Sequence, residues 1–260
     1  MSTLSDLATT DELLVVSDFD GTLAGFHPSD IYDVPINGDS IDALARLSQL
    51  PHTTVAVLSG RHLAGLQKVC PLESPVIFAG SHGAETSGEP SGERGPDAQQ
   101  LSILQDLDEQ LEAIVAAAPR AYVEKKPYHR VVHVAELAEE SPETAAEICD
   151  AAAQIRAPGL TSMRGKNIVE FSVSGENKGT WISRRRTLIG ATGVLFIGDD
   201  TTDELGFATL SEADLGVKVG PGDTAATLRV DDLAEVARIY QELAELRTLW
   251  ARRRDGSSRD

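Results

Sequence analysis

The sequence predicts an α/β protein: a doubly wound parallel sheet into which a second, α+β domain is inserted. Short and almost continuously apolar runs alternate with segments of helical periodicity, a pattern typical of parallel strands covered by helices on both faces. Between residues 100 and 173 the order changes to helix, two strands, helix, two strands, which favours an antiparallel sheet. We therefore expect one domain from residues 1–99 and 174–260, and a second from residues 100–173.

The first half of the core alternates strand and helix. The apolar run Leu13–Ser17 predicts a buried strand, and residues 39–50 repeat apolar side chains at helical spacing. A second apolar run at 53–58 is followed by a short helix at 63–69 and a third strand at 75–79. This order is the one from which doubly wound parallel sheets are built.

The inserted domain follows a stretch, residues 86–99, rich in Gly, Pro, Ser and Glu, which predicts a boundary or an exposed hairpin. The expected elements of the insert are a helix at 101–118, strands at 121–125 and 130–134, a helix at 142–156, and strands at 160–163 and 167–173. The core then resumes with a helix at 177–189, strands at 194–197 and 215–219, and a terminal helix with apolar positions from 233 to 246.

Composition limits the possible partners. The 260 residues carry 23 basic and 41 acidic side chains, a formal net charge of -18, and such a surface repels nucleic acid and anionic membranes. The apolar runs are shorter than the roughly 20 residues that cross a bilayer, and no secretory signal precedes them. Cys70 and Cys149 lie far apart, which indicates free thiols in a reducing compartment. We expect a cytoplasmic monomer that binds neither nucleic acid nor membrane.

Two carboxylates follow the first predicted strand directly. Residues i and i+2 of a strand point to the same side, so Asp18 and Asp20 lie together where the strand ends. Two carboxylates this close repel each other, and the arrangement is stable only with a cation or with one group protonated. A metal-assisted reaction centre has this composition.

Three further polar clusters follow predicted strands or open a predicted helix. Ser59 could hydrogen-bond a phosphoryl oxygen, and Lys178, in the first turn of a helix, could neutralise a phosphate or orient the nucleophile. Asp199 and Asp203 form a second acidic strand end suited to an oxygen-rich Mg²⁺ shell. Ligands of doubly wound sheets bind beyond the carboxyl ends of the strands, where residues 18–22, 59–61 and 81–85 all lie, so one pocket is expected there.

In this order the four clusters resemble motifs one to four of the haloacid dehalogenase-like (HAD) phosphohydrolases. A closer resemblance, to the trehalose-6-phosphate phosphatase family, rests on the segments 198–204 (GDDTTDE), 81–85 (SHGAE), 58–61 (LSGR) and 177–179 (NKG). It extends from about Leu13 to the final helix. The resemblance implies a Rossmann-like core with an α+β cap of the C2B type. It also implies Mg²⁺-dependent hydrolysis of trehalose 6-phosphate through an aspartyl-phosphate, as a step of trehalose biosynthesis.

The resemblance also implies roles for the core residues. Asp18 would be the nucleophile, and Asp20 would be the general acid that protonates the sugar and then the base that activates water. The implied metal ligands are Asp18, the backbone carbonyl of Asp20, and Asp199, with Asp203 supporting the metal's water shell. The implied phosphate-binding residues are Thr22, Ser59 and Lys178.

Residues of the cap would then bind the sugar. The resemblance implies that Glu124, Lys126 and Glu170 hydrogen-bond its hydroxyls, and Arg61 and His82 are candidates for the same role from the core. Four of these five candidates have a structural alternative: Arg61 could form a structural ion pair, His82 could be a loop histidine, and Glu124 and Lys126 could pair with each other.

The identity of the substrate leaves alternatives open. Related sequences often carry Arg soon after the cap histidine and after the cap glutamate, where this chain has Val134-Ala135 and Phe171-Ser172. A related phosphatase of sucrose phosphate or mannosylglycerate phosphate is one alternative. A catalytically silent regulatory partner of a separate trehalose-phosphate synthase is the other, although the intact set of acidic residues and Lys178 argues against it.

Overall fold

A computed structural model describes residues 2–26, 32–89 and 95–257. The chain divides into two compact units, residues 1–88 with 176–260 as unit 1 and residues 89–175 as unit 2. The expected insert, residues 100–173, lies within unit 2.

The described residues of the two units form eleven strands and nine α-helices. The strands are β1 (Leu13–Ser17), β2 (Thr53–Leu58), β3 (Ile77–Gly80), β4 (Glu85–Thr86), β5 (Tyr122–Lys125), β6 (His129–His133), β7 (Thr161–Gly165), β8 (Ile168–Ser172), β9 (Gly193–Gly198), β10 (Leu215–Val219) and β11 (Leu228–Val230). The helices are α1 (Leu4–Ala8), α2 (Gly38–Ser48), α3 (Leu63–Val69), α4 (Ala98–Val115), α5 (Ala135–Glu140), α6 (Pro142–Ala152), α7 (Lys178–Ile189), α8 (Thr201–Phe207) and α9 (Leu233–Ser257).

Unit 1 is built on a seven-stranded sheet with the order β11-β10-β9-β1-β2-β3-β4. The central strand β1 pairs in parallel with both β2 and β9, and among the described strands of this sheet only β4 runs antiparallel to its neighbour. The predicted parallel sheet is confirmed. Because β1, β2, β9 and β10 are parallel, their carboxyl ends share one edge of the sheet.

The alternation of side chains along the strands explains the layers of helices on both faces. In β1, Leu13 and Val15 pack with α1, α2, α3 and α9, whereas Leu14 and Val16 pack with α7 and α8. Successive strand residues point to opposite faces, so a fully apolar strand supplies two cores. The doubly wound class predicted from the apolar runs is therefore correct.

Unit 2 is an antiparallel four-stranded sheet, β5-β6-β8-β7, with α4, α5 and α6. Val132, Val169 and Phe171 point to one face and form a core with residues of the three helices. The residues between them along the strands point to the opposite face. This face, the polar face of the sheet, carries Glu124, His133 and Glu170 together with Val131 and Ile168.

The structure adds elements that the sequence pattern misses. Helix α5 is only six residues long, and Val134 at its start provides no side-chain cap, so neither length nor capping signals it. The strand β11 has three residues, two of them exposed. Among the residues that the structure describes, every helix is too short or too polar to cross a lipid bilayer.

Candidate active site

The loop that follows β1 brings two acidic strand ends together. Gly21 has φ +79°, a conformation that disfavours side chains, and a Cβ there would lie 2.1 Å from Oδ2 of Asp199. The backbone N–H of Asp18 donates to the carbonyl of Ile197 at 2.9 Å, which continues the pairing between β1 and β9. Glycine at position 21 therefore allows the Asp199 carboxylate to approach the end of β1.

Lys178 lies between two buried carboxylates. Its Nζ is 2.8 Å from Oδ1 of Asp18 and 2.7 Å from Oδ1 of Asp203, and all three side chains are almost fully buried. Asn177 caps α7 by accepting from the N–H groups of Gly179 and Thr180, and this places Lys178 at the first position of the helix. Burial alone would lower the pKa of Lys178, but the two carboxylates raise it, so the ammonium is charged.

Asp18 and Asp199 carry more negative charge than Lys178 neutralises. Burial, followed by the charge of Asp203, raises the pKa of Asp18 well above its usual range. The same two causes raise the pKa of Asp199 to about 6. An additional cation would relieve this repulsion.

The arrangement of these oxygens fits a divalent cation. Ligand atoms of Asp18, Asp199 and Asp203 lie within 4.8 Å of one another, and Oδ1 of Asp199 is buried without a hydrogen-bond partner among the described residues. Asp203 is already engaged, since its Oδ2 accepts from the N–H groups of Asp199 at 3.1 Å and Asp200 at 2.9 Å. Asp199 and Asp18 are thus the carboxylates with capacity for a metal such as Mg²⁺, and Asp203 orients the loop that holds Asp199.

Two hydroxyls lie near the ends of β1 and β2. The Ser59 side chain is buried, and its oxygen accepts from the N–H of Arg61 at 3.1 Å. The Thr22 hydroxyl is buried and has no hydrogen-bond partner in the described part of the chain. A buried hydroxyl without a partner is costly unless a ligand satisfies it, so Thr22 is suited to binding an anion.

Asp20 points to a different partner from Asp18. Nε of Arg61 donates to Oδ2 of Asp20 at 2.7 Å, and Nη2 donates to Oδ1 at 2.6 Å. The pair is therefore bidentate, the strongest geometry for an arginine with a carboxylate. The two carboxylates that the sequence places on one strand end are held by two different cations, Lys178 and Arg61.

His82 lies in a short 3₁₀ turn, Ser81–Gly83, and has φ 54°. Its imidazole packs over Gly60, where a Cβ would meet the ring at 2.7 Å. The Ser81 hydroxyl donates to Glu85 at 2.5 Å and so connects the start of the turn to strand β4, which follows it. The conformation of the turn and the glycine at position 60 fix the position of the ring.

In unit 2 the polar face of the sheet brings the predicted cap residues together. Glu124 and Glu170 both lie opposite Val131 of the strand between them, so their side chains leave from the same face. The Glu124 carboxylate is 3.0 Å from Nε2 of His133 and 3.6 Å from Nζ of Lys126. Burial raises the pKa of Glu124, but His133 and Lys126 outweigh it, so the pKa is lowered overall. The alternative that Glu124 pairs with Lys126 is therefore part of the observed arrangement.

Lys218 is a site residue that the sequence analysis misses. It lies in β10 next to β9, is buried, and donates a hydrogen bond to the backbone carbonyl of Asp199. The signal in the sequence is a lysine within the apolar run Leu215–Val219, since lysine is rarely buried without a partner. Its charge lies beside the acidic loop that holds Asp199.

The fold and the site together define the class of protein. A parallel sheet with two aspartates at the end of its central strand, a buried lysine that opens a later helix, and an acidic end on the adjacent strand identify a HAD-like phosphohydrolase core. The separate antiparallel α+β unit is the cap of such a protein.

Comparison with known proteins identifies the family. The trehalose-phosphatase family model matches residues 16–232. The trehalose-6-phosphate phosphatase of Escherichia coli is 32% identical over 253 residues, which cover 94% of this chain and 90% of that protein. The chain belongs to the trehalose-phosphatase family, whose members are phosphoric monoester hydrolases.

Other relatives differ in length or are known from their fold. The bifunctional trehalose-6-phosphate synthase/phosphatase of Thermoproteus tenax is 33% identical over 242 residues, which cover 92% of this chain but only 33% of that protein. The C-terminal domain of trehalose-6-phosphate phosphatase from C. albicans matches with a TM-score of 0.74 at 22% identity, over 93% of this chain and 95% of that one. The chain thus spans about a third of the bifunctional relative, and its fold is that of the fungal domain.

Proposed function

We propose that this chain is a Mg²⁺-dependent phosphatase that hydrolyses trehalose 6-phosphate to trehalose and phosphate through an aspartyl-phosphate, in trehalose biosynthesis. The observation that carries the proposal is the ion pair between Asp18 and the buried Lys178 beside a second acidic strand end. A carboxylate held in place by a fixed cation, with a cation-binding cluster next to it, is suited to attack on a phosphoryl group.

In the proposed first step, a carboxylate oxygen of Asp18 forms a bond to phosphorus. The bond between phosphorus and the sugar oxygen breaks, its electron pair stays on that oxygen, and the oxygen takes a proton from the carboxyl group of Asp20. In the second step, water attacks phosphorus and loses a proton to Asp20 while the bond to Asp18 breaks. Both residues return to their starting states.

The residues that surround Asp18 stabilise the transferred group. Lys178 and the hydroxyls of Thr22 and Ser59 would hold the phosphoryl oxygens, a role that needs fixed donors and little movement. Asp18, the Asp20 carbonyl and Asp199 would hold Mg²⁺, with Asp203 orienting the loop. Bound Mg²⁺ supplies positive charge that neutralises the phosphoryl oxygens and the repelling carboxylates.

The polar face of the cap sheet would select the sugar. Glu124, Lys126 and Glu170 offer acceptors and a donor for hydroxyl groups. The position of both glutamates opposite Val131, with Lys126 3.6 Å from Glu124, supports this role. His82 remains a candidate from the core, whereas the guanidinium group of Arg61 is bound to Asp20. Sucrose phosphate and mannosylglycerate phosphate are alternative substrates, because the same carboxylates can bind other polyols.

A second candidate function, a silent regulatory partner of a separate trehalose-phosphate synthase, is less well supported. A regulatory protein has no need for a buried lysine between two carboxylates, because apolar side chains of similar volume are often as stable in such a position. We propose a cytoplasmic enzyme whose substrate is supplied by a synthase. The relative from Thermoproteus tenax is named as a bifunctional synthase/phosphatase, so its name places both activities in one protein.

Phosphate release from a panel of sugar phosphates, with Mg²⁺ and with chelator, tests the proposal. We expect Mg²⁺-dependent turnover with a preference for trehalose 6-phosphate. Asp18→Asn should remove activity, whereas Asp42→Asn, an exposed aspartate of α2, is a matched control and should not. Equal turnover of glucose 6-phosphate would refute the substrate, and activity in Asp18→Asn would refute the nucleophile.

The sugar-binding face is tested by a contrast between substrates. Glu170→Ala should lower turnover of trehalose 6-phosphate far more than that of 4-nitrophenyl phosphate, which has no sugar. Glu139→Ala, at an exposed glutamate of α5 in the same unit, should change neither. Equal losses on both substrates would remove Glu170 from sugar recognition.

A further inference from the structure

Arg61 is bound to Asp20, the residue proposed to move protons during the reaction. We infer that Arg61 is a positioning residue that fixes the carboxylate of Asp20 for proton transfer, and that this is its main role in place of contact with the sugar. The inference rests on the proposed function, because it requires Asp20 to act as acid and base.

The backbone of Arg61 is held from both sides. Its N–H donates to the hydroxyl of Ser59 at 3.1 Å, and its carbonyl accepts from the N–H of Ser81 at 2.7 Å. Gly80 permits the second contact, since a Cβ at that position would lie 2.8 Å from the carbonyl oxygen of Arg61. The start of the long arginine side chain is therefore fixed by the ends of β2 and β3.

The guanidinium group is also held in place. It lies 5.4 Å from the centroid of the Phe19 ring, and it meets Asp20 through the two hydrogen bonds of 2.7 and 2.6 Å. The side chains of Arg61 and Asp20 are 13% and 27% exposed, so solvent screens the pair less than it screens a surface ion pair. Two parallel bonds fix the plane of a carboxylate as well as its distance.

A fixed carboxylate plane matters for proton transfer. A displacement of about 1 Å at a reacting group can cost about a hundredfold in rate, and general acid–base catalysis contributes about 10²–10⁴-fold. While Asp20 carries a proton on one oxygen, Arg61 can still donate to the other oxygen. When Asp20 has given up the proton, both oxygens can accept from Arg61 again. The arginine thus orients Asp20 in both steps without exchanging a proton itself.

A substrate without a sugar separates this role from a sugar contact. The first step on 4-nitrophenyl phosphate needs little help from an acid, because nitrophenolate is a good leaving group, but the second step still needs Asp20 as base. Arg61→Ala should therefore release nitrophenolate in a rapid burst of about one equivalent per enzyme, followed by steady turnover about 10- to 100-fold below that of the wild type. Arg61→Lys keeps the charge but not the two parallel bonds. Its steady turnover should therefore lie between that of the wild type and that of Arg61→Ala.

A double-mutant cycle tests whether Arg61 acts through Asp20. In an Asp20→Asn background, Arg61→Ala should change the steady rate on 4-nitrophenyl phosphate by less than about twofold. Arg186→Ala is the control, because Arg186 also pairs with a carboxylate of unit 1, Asp214, at 2.6 Å. Arg186→Ala should release nitrophenolate with the same time course as the wild type.

Three results would overturn the inference. Unchanged kinetics of Arg61→Ala on 4-nitrophenyl phosphate, with a raised KM for trehalose 6-phosphate, would make Arg61 a sugar contact. Equal losses of burst and steady rate, together with a lower melting temperature, would make its role structural. The absence of a burst in both Arg61→Ala and Asp20→Asn would remove the two-step scheme on which the inference depends. Turnover of trehalose 6-phosphate by the wild type is scored separately, so failure of the proposed substrate is distinguishable from each of these.

Discussion

Replacing Asp199 by Asn should stabilise the protein when no divalent metal is present. The Asp199 carboxylate faces the acidic residues Asp18 and Asp203, and burial with the charge of Asp203 raises its pKa from 3.8 to about 6. A raised pKa of an acid means that the charged form destabilises the folded state. The neutral amide removes that charge and keeps nearly the same shape.

The size of the effect follows from the pKa. A rise from 3.8 to about 6 corresponds to about 3 kcal/mol at neutral pH. Since Asp199 is partly accessible to water, solvent screening reduces this to about 1–2 kcal/mol. For a chain of this length we expect the melting temperature to rise by about 2–8 °C.

The sign of the pH dependence provides a second check. In the unfolded chain Asp199 titrates near 3.8 and in the folded metal-free chain near 6, so between these values the folded state binds more protons. The destabilisation by Asp199 is therefore small near pH 4, grows as the pH rises to about 6, and is complete above that. The stability difference between Asp199→Asn and the wild type should follow the same course.

The assay is thermal unfolding in chelator at pH 4.5 and pH 7.5, repeated with Mg²⁺. Mg²⁺ should raise the melting temperature of the wild type and have little effect on Asp199→Asn. Asp200→Asn is the matched control, because Asp200 is a neighbouring acidic residue that caps α8, and asparagine caps as well as aspartate. A lower stability of Asp199→Asn than of the wild type in chelator at pH 7.5, or a difference that does not change with pH, would refute the reasoning.

Three further predictions concern the cations of the site and the cap. Lys178→Met should abolish phosphate release and lower the free energy of unfolding by about 3–5 kcal/mol, because it leaves buried carboxylates without their cation. Urea unfolding in chelator measures the loss, and a variant as stable as the wild type would contradict the prediction. Lys218→Met should lower the melting temperature of the metal-free protein and enlarge the rise in melting temperature that Mg²⁺ causes, because a positive charge beside Asp199 is lost. An unchanged response to Mg²⁺ would count against this prediction. His133→Ala should raise the KM for trehalose 6-phosphate about fivefold, because Glu124 loses its 3.0 Å partner. The KM for 4-nitrophenyl phosphate should stay unchanged. An equal change in KM for both substrates would show a structural effect.

Much of the fold follows from local patterns in the sequence. Leu13–Ser17 and Leu215–Val219 are found with the predicted bounds, because strands that are buried on both faces consist mostly of apolar residues. Helix α5 and strand β11 are too short to produce a periodic signal. The terminal helix continues to Ser257, well beyond its apolar stripe, and Arg254 in its last turns pairs with Asp11 at 2.7 Å.

The sequence by itself determined the acidic strand ends and their order, since each follows directly from an apolar run or opens a helix. The tertiary structure alone decided which charges pair. Asp18 and Asp20 are two residues apart, yet one meets Lys178 and the other Arg61. Lys218 enters the site from a neighbouring strand. These pairings join residues that are distant along the chain, and only the register of the parallel sheet and the course of the loops bring them together.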